Sequence, residues 1–312
     1  MNKKEAKIIF MGTPEIAGVI LQGLIDEHYN VSLVVTGEDK KVGRNNILTP
    51  SICKRIALNN NIPVFQPHKL RLTNEEIVKM NADVLVTCAY GQIVPDVVLN
   101  SFRIGCINVH GSLLPHLRGA SPIQSALFEG LDKTGITIME MVSKMDAGRM
   151  YLKKEVEISN DDNYTSLYQK MATAGKDALL SMLDAYLEGK INGEEQDESK
   201  ATFCKKITKD EEKLSLDLSP DEFNNYVRGL SYNPGGYLFL EDKKIKILKV
   251  KPYSYDIEGE VGSIYKKNKR LWTLQLSKGQ VELLEVQKEG KNKIDFISFA
   301  NGERNLETKR FS

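Results

Sequence analysis

Residues 6–17 read AKIIFMGTPEIA and indicate the fold class. Four consecutive apolar residues predict a buried strand that ends at Gly12, and Pro14 with Glu15 then opens a stretch of helical spacing. Similar apolar runs follow at residues 30–36, 62–65, 82–89 and 105–109. Helical spacing is found at residues 50–58, 74–80 and 122–128. Strands that alternate with helices predict an α/β fold with a mainly parallel sheet, covered on both faces.

The predicted secondary structure changes after one long helix, from alternating strands and helices to short strands. Residues 134–142 alternate like a strand, and residues 164–187 carry the apolar stripe of a single amphipathic helix. A polar, charged stretch follows, after which short strands are separated by glycine-containing turns, as in a small β-barrel or sandwich. We therefore predict a catalytic domain at residues 1–189, a linker at 190–208 and a second domain at 209–312.

Composition and charge narrow the class of protein. Hydrophobic residues make up 41% and charged residues 27% of 312 residues, as in folded globular proteins. The four cysteines form no CxxC pair, and we see neither a signal peptide nor an apolar run of membrane-spanning length, so we expect a reduced, cytoplasmic protein. Residues 243–312 hold sixteen basic and nine acidic residues. This excess favours a polyanionic partner, although a solvated lysine face fits the pattern equally well.

Two polar residues end the strand at residues 105–109. Asn108 and His110 are two positions apart, so their side chains lie on one face at the carboxyl edge of a parallel sheet, where α/β folds bind ligands. An amide donor beside an imidazole suits stabilisation of an oxyanion next to a proton transfer. Considered alone, the pair could also cap a loop.

Asp146 follows the strand at residues 134–142 and could reach the same edge. It could orient the imidazole and take up a proton, but an aspartate before Ala147 and Gly148 is also an ordinary turn former. The sequence contains no GxSxG elbow, no Walker or GxGxxG loop, and no histidines at metal-ligand spacing. Direct transfer between two bound substrates is the remaining chemistry.

These residues belong to a set of motifs that resembles the folate-dependent formyltransferases. The motifs cover nearly the whole chain: FMGTPEIA (10–17), VGR (42–44), PVFQP (63–67), AYGQIVP (89–95), INVHGSLLPHLRGASPIQSAL (107–127), TGITIMEM (134–141), MDAGRM (145–150), SYNPGGY (231–237) and FANGERNL (299–306). The resemblance implies a Rossmann-like formyltransferase fold followed by a smaller OB-like β-barrel domain that lies along tRNA.

The resemblance also implies roles for individual residues. Asn108, His110 and Asp146 would form the catalytic set, with 10-formyltetrahydrofolate as formyl donor and no metal. The folate would bind beside Ala89, Tyr90, Gly91, Gln92 and Ile93, and its cleft would be shaped by Ser112, Leu113, Leu114 and Pro115. In the family members that the chain resembles most, the acceptor is the methionine carried by initiator tRNA. That tRNA would contact Arg44 in the loop at residues 37–49, which could equally be a flexible charged loop, and Lys244, Lys246 and Lys249.

Other functions compatible with the sequence differ in the acceptor. A formyltransferase of the same fold could act on a nucleotide-linked amino sugar, but the basic C-terminal half and the ASPIQ segment at residues 120–124 favour tRNA. The length argues against a glycinamide transformylase, and the intact catalytic set argues against a silent RNA-binding protein. We expect a monomer, since no feature of the sequence indicates a stable dimer.

Overall fold

The computed structural model describes residues 2–43 and 45–312. These residues form two compact units. The first comprises Met1–Gly119, Lys133–Glu157 and Tyr168–Phe203, and the second comprises Ala120–Asp132, Ile158–Leu167 and Cys204–Ser312. The domain boundaries predicted at residues 189 and 209 stay a prediction.

Strands and helices alternate through the first half of the chain, and strands dominate the last third. The strands are β1 (Ile8–Gly12), β2 (Val31–Val35), β3 (Lys40–Val42), β4 (Ile47–Thr49), β5 (Val64–Phe65), β6 (Val84–Cys88), β7 (Gly105–His110), β8 (Arg118–Gly119), β9 (Lys133–Glu140), β10 (Met150–Glu157), β11 (Phe203–Cys204), β12 (Tyr237–Leu240), β13 (Lys243–Ser254), β14 (Ile264–Lys266), β15 (Trp272–Leu276), β16 (Gly279–Lys288) and β17 (Lys293–Asp295). The α-helices are α1 (Glu15–Asp26), α2 (Ile52–Asn59), α3 (Glu75–Lys79), α4 (Asp96–Leu99), α5 (Pro122–Phe128), α6 (Tyr164–Leu187), α7 (Pro220–Leu230) and α8 (Phe296–Asn301).

A seven-stranded sheet forms the centre of the first unit, in the order β10-β9-β7-β6-β1-β2-β5. Five adjacent strands of this sheet, β7, β6, β1, β2 and β5, run parallel to one another. Strand β9 runs antiparallel to both β7 and β10. All five residues of β1 are buried, because helices and loops cover both faces of the sheet. The predicted α/β fold with a mainly parallel sheet is confirmed.

Helix α6 covers one face of this sheet. Its apolar stripe, predicted from spacing, buries Met171, Leu179 and Leu183. The absence of a side chain at Gly175 lets the helix lie close to Val109 of β7. The strand that carries the candidate catalytic side chains is thus held from behind by a long helix.

The second unit contains an antiparallel sheet in the order β12-β13-β16-β15-β14, with β17 paired to β16. Phe223 of α7, Trp272 of β15 and Phe296 of α8 are buried in its apolar core. Helix α7 begins with a reciprocal capping box, in which Ser219 and Glu222 satisfy each other's backbone N–H groups. The prediction of a second unit built from short strands is confirmed.

Several elements were not apparent in the sequence. Strand β10 has a half-exposed, charged pattern, which is typical of an edge strand and hides its periodicity. Helix α4 is only four residues long, below the length at which helical periodicity can be recognised. Strands β3 and β4 pair as an exposed hairpin within the loop at residues 37–49. Arg44, predicted to contact tRNA there, lies outside the described residues.

No helix among the described residues is long and apolar enough to cross a membrane.

Candidate active site

Asn108 is held by its neighbour on the adjacent parallel strand. The register of β6 and β7 places Thr87 opposite Asn108. The buried Thr87 hydroxyl donates to Asn108 Oδ1 at 2.8 Å. Since the amide oxygen is used in this way, the Nδ2 hydrogens remain to bind an external acceptor. Thr87 therefore fixes which end of the Asn108 amide is available.

His110 lies on the same strand and is nearly fully buried, with 5% of its surface exposed. Its Nε2 is 3.0 Å from the carbonyl oxygen of Leu117. A carbonyl can only accept, so Nε2 carries hydrogen and Nδ1 is the nitrogen that can gain or lose a proton. Nδ1 lies 3.7 Å from Asp146 Oδ2, which is within ion-pair reach but longer than a direct hydrogen bond. The imidazole thus presents Nδ1 toward a carboxylate.

Asp146 occupies a constrained position in the loop between β9 and β10. Its φ of 49° lies in the left-handed region, which aspartate tolerates better than most residues. Its Oδ2 accepts the backbone N–H of Gly119 at 2.8 Å. A Cβ at Gly148 would collide with the carbonyl oxygen of Glu140, so the DAG motif requires glycine at that position. The loop places the carboxylate 3.7 Å from His110 Nδ1, an approach that the sequence spacing left open.

The arrangement can stabilise an oxyanion and accept a proton. The Asn108 amide and a protonated His110 are hydrogen-bond donors, and Asp146 is the acceptor. Cys53, Cys88 and Cys106 offer no nucleophile, because burial raises the pKa of Cys53 and Cys106 to about 12 and raises that of Cys88 as well. No group of three or more His, Cys, Asp or Glu side chains among the described residues could hold a metal ion.

The loop after β6 carries the first set of predicted folate residues. Ala89 and Gly91 have φ values of 47° and 85° and are exposed, so their backbone groups are accessible. The Tyr90 side chain instead turns into the core, where burial raises the pKa of its hydroxyl to about 12. Gln92 holds the loop at residues 67–70 by accepting the Leu70 N–H and donating to Pro67 O. Ile93 is 89% exposed, which leaves a large apolar surface for a ligand.

The same region continues into the loop before Asp146. Ser143 Oγ donates to Asp96 Oδ1 at 2.7 Å and ties that loop to α4. Val142 and Met145 on either side of Ser143 are exposed apolar side chains. The two segments predicted to hold the pterin are therefore joined, and each exposes apolar surface.

The second predicted folate segment, at residues 112–115, is mostly internal. Ser112, Leu114 and Pro115 are buried, and Leu113 is half-buried. Ser112 Oγ donates to His116 O, and Thr137 Oγ1 donates to Ser112 O at 2.7 Å. The segment is thereby fixed to β9, and its side chains shape the loop from within.

The predicted tRNA lysines lie on β13 in the second unit. The Lys244 ammonium lies 3.7 Å from the centroid of the Tyr237 ring, and Lys246 Nζ donates to Pro234 O at 2.5 Å. A β-bulge between Ile247 and Lys249 changes the alternation, so that Lys249 also faces outward. Lys249 lines a cleft of about 650 Å³ together with Arg228, Lys251, Asp161 and Asp162.

Sequence reasoning missed the residues that hold the catalytic set. Thr87 was hidden because the register between two predicted parallel strands is not encoded in either strand alone. Gln196 lies in the stretch predicted to be a linker, yet its Nε2 donates to the carbonyl oxygens of Asp146 and Gly148, each at 2.8 Å. Arg118, completely buried, donates to Gln196 and Glu198. Only the RG of the long motif at residues 107–127 drew attention to Arg118.

Comparison with known proteins identifies relatives of both units. Residues 6–183 match the family "Formyl transferase", and residues 206–304 match "Formyl transferase, C-terminal domain". The methionyl-tRNA formyltransferase of Lactobacillus johnsonii is 40% identical over 301 residues, covering 96% of each chain. That of Listeria welshimeri is 42% identical over 303 residues, covering 96% of this chain and 97% of the relative.

The fold is shared with a more distant solved structure. The N-formyltransferase from Helicobacter canadensis, solved in complex with folinic acid and dTDP-3-aminofucose, aligns with a TM-score of 0.68 at 16% identity. The alignment covers 92% of this chain and 100% of the other. At this identity the similarity concerns the fold alone.

Proposed function

This chain belongs to the formyl transferase family, and we infer that it transfers a formyl group from 10-formyltetrahydrofolate to the α-amino group of methionyl-tRNA. The observation that carries this conclusion is the 40% identity to a methionyl-tRNA formyltransferase over nearly the full length of both chains. We propose initiator tRNA as the acceptor and N-formylmethionyl-tRNA for translation initiation as the product, formed in the cytoplasm by a monomer.

We assign catalysis to Asn108, His110 and Asp146. The amine lone pair attacks the formyl carbon while the carbonyl electrons move to oxygen, where the Asn108 amide and the Nδ1–H of protonated His110 hold the oxyanion. Nε2 cannot serve because it donates to Leu117 O, whereas Nδ1 lies 3.7 Å from Asp146, beyond a direct hydrogen bond. Asp146 keeps His110 oriented and receives the proton of the attacking amine through a water molecule. Collapse of the tetrahedral intermediate re-forms the carbonyl and breaks the bond to N10 of the folate, and N10 takes up the proton that Asp146 received, which restores the carboxylate. The bonds from Thr87 and Gly119 support this assignment because they hold two of the three groups in place.

We place the folate against the loop at residues 89–93. The exposed backbone of Ala89 and Gly91 offers hydrogen-bonding groups for the amide-like edge of a pterin, and Ile93 offers apolar surface. The loop before Asp146 adds Met145 and Val142. Ser112, Leu113, Leu114 and Pro115 shape the cleft indirectly, through the loop that leads from His110.

We propose that tRNA is bound through its backbone by the second unit. Lys244, Lys246 and Lys249 face outward from one strand in a region with seven more basic than acidic residues. Such a surface binds phosphates without reading bases. Arg44 in the first unit stays a candidate for contact with the acceptor end.

The test offers two amine acceptors to the purified protein. With 10-formyltetrahydrofolate as donor, we expect rapid N-formylation of methionyl-tRNA and none of a nucleotide-linked amino sugar. Transfer to the sugar alone would retain the chemistry of Asn108, His110 and Asp146 but reassign the acceptor. Transfer to neither amine would contradict the proposed function.

A further inference from the structure

The loop that carries Asp146 is held by a side chain from a distant segment of the same unit. Both hydrogens of the Gln196 amide are used, one on Asp146 O and one on Gly148 O, each at 2.8 Å. These two carbonyls flank the left-handed turn at Asp146, where φ is 49°. Gln196 is 8% exposed, so water competes little for these bonds.

The Gln196 amide is in turn oriented by a buried charge. Arg118 has no exposed surface, and its Nε and NH2 donate to Gln196 Oε1 at 3.0 and 2.7 Å. The rest of the guanidinium contacts Glu198, which also pairs with Lys144. With its oxygen occupied by Arg118, the Gln196 amide can only direct its NH₂ group at the Asp146 loop.

Arg118 is also adjacent to the group that holds the carboxylate itself. Gly119 N–H donates to Asp146 Oδ2 at 2.8 Å, whereas Leu117 O accepts from His110 Nε2 at 3.0 Å. The segment 117–119 therefore contacts the imidazole and the carboxylate through its backbone, and the backbone of the Asp146 loop through Arg118 and Gln196. A shift of this segment moves both catalytic groups.

We propose that Gln196 and Arg118 are positioning residues for formyl transfer, which hold the Asp146 loop so that the carboxylate keeps its place against His110 Nδ1. The inference rests on the proposed role of Asp146. It assigns a function to the polar segment 194–198, which carries no motif of its own. It also explains why an arginine is buried without solvent contact near the site.

Steady-state kinetics of Gln196→Met and Gln196→Glu test the proposal. Methionine removes all four bonds, whereas glutamate keeps the acceptor for Arg118 and loses the two donors to the loop. We expect both variants to lower kcat by about 10- to 100-fold, the cost of a misplaced catalytic group. The KM for tRNA should stay within about twofold, because Gln196 contacts no residue assigned to tRNA.

Gln275→Met provides a matched control. Gln275 is likewise buried and clamps a turn by donating to two carbonyls, Leu276 O and Gly279 O, but it lies in the second unit. If Gln196 were merely structural, the two methionine variants would lose stability alike and keep kcat alike. A loss of kcat confined to the Gln196 variants supports positioning.

Coupling to Asp146 distinguishes the failure of this inference from failure of the proposed function. Asp146→Asn should itself lower kcat by at least about 100-fold, and adding Gln196→Met to it should cost less than about threefold more, because the carboxylate that Gln196 positions is gone. Wild-type kcat in Gln196→Met with a severe Asp146→Asn defect would overturn the inference alone. Wild-type kcat in Asp146→Asn would overturn both.

Arg118→Lys tests the role of Arg118, which orients the Gln196 amide. Lysine keeps the charge but loses the fork that binds Gln196 and Glu198 together. We expect kcat to fall severalfold, with no further loss when Gln196→Met is added. Additive losses in the double variant would show that Arg118 acts independently of Gln196 and would overturn its assigned role.

Discussion

The sheet edge at Asn108 and the lysine face of β13 differ in how far their functional side chains are exposed. Asn108, His110 and Asp146 each have a protein partner at a fixed distance, and His110 is nearly buried. On β13, Lys249 is exposed and faces a cleft that also contains carboxylates. Bond rearrangement requires donors held at defined positions, whereas attraction to a phosphate backbone tolerates mobile charges. Single substitutions should therefore be severe at the first region and mild at the second.

Removal of the oxyanion donor should give the largest effect. We expect Asn108→Ala to lower kcat by about 10² to 10³-fold, because one preorganised donor contributes about 3 to 4 kcal/mol to the transition state. Folate affinity should stay close to wild type. Asn100→Ala, an exposed asparagine of the same unit, serves as control. Wild-type turnover of Asn108→Ala, measured at saturating substrates, would remove Asn108 from the mechanism.

Charge reversal on β13 should weaken tRNA binding and leave the rate of formyl transfer unchanged. With Lys244, Lys246 and Lys249 all changed to Glu, we expect the KM for tRNA to rise by about tenfold or more and its salt dependence to flatten. A variant with Lys79, Lys153 and Lys190 reversed in the first unit has the same net charge and should retain the wild-type salt slope. If the two variants behave alike, the β13 lysines form only a solvated face.

Loss of the Thr87 hydroxyl should give a smaller effect at the catalytic edge. Thr87→Val keeps the shape but frees the Asn108 amide to rotate, and a hydrogen bond of about 1 kcal/mol corresponds to about fivefold in kcat. Thr87→Ser should restore most of this loss. Thr134→Val, at a buried threonine of β9, controls for the general cost of the substitution. Equal kcat for the valine and serine variants at position 87 would contradict the orienting role.

The smallest effect concerns stability at acid pH. Hydrogen bonds from Arg118 and then Lys144 lower the pKa of Glu198 to about 2. A carboxyl with a lowered folded-state pKa stabilises the protein above its unfolded pKa of about 4.5 and loses this contribution as the pH falls toward 2. Glu198→Gln should therefore be slightly less stable than wild type at pH 6, with a difference that vanishes near pH 2 to 3.

Denaturant unfolding at several pH values measures this difference. Glu289→Gln, at an exposed carboxylate of the second unit, provides the reference. A difference in unfolding free energy between Glu198→Gln and wild type that grows on acidification would contradict the expected pH dependence.

The alternation of side chains along a β-strand made part of the site predictable from the sequence. Asn108 and His110 share a face because they are two residues apart on one strand, and the fold class follows from the apolar runs and their spacing. The DAG motif pointed to Asp146, but its distance from His110 depends on how the loop after β9 is held. That restraint comes from Gly119 and Gln196, which are 27 and 50 residues away in sequence. No local pattern encodes such contacts.

The β13 face shows a second limit of prediction from the sequence. Simple alternation predicts that Lys244 and Lys246 share a face that Lys249 does not. The bulge after Ile247 changes this register, and Leu248 is buried instead. A bulge depends on pairing with β16, so it cannot be read from the lysines themselves.

Single-turnover formylation of methionyl-tRNA, with enzyme in excess at saturating tRNA and folate, separates the two regions most directly. We expect Asn108→Ala to slow this step by about 10² to 10³-fold. The β13 triple variant should form product at the wild-type rate once binding is saturated. A wild-type rate for Asn108→Ala, or a slow saturated rate for the lysine variant, would contradict the division between enclosed catalytic groups and outward-facing binding charges.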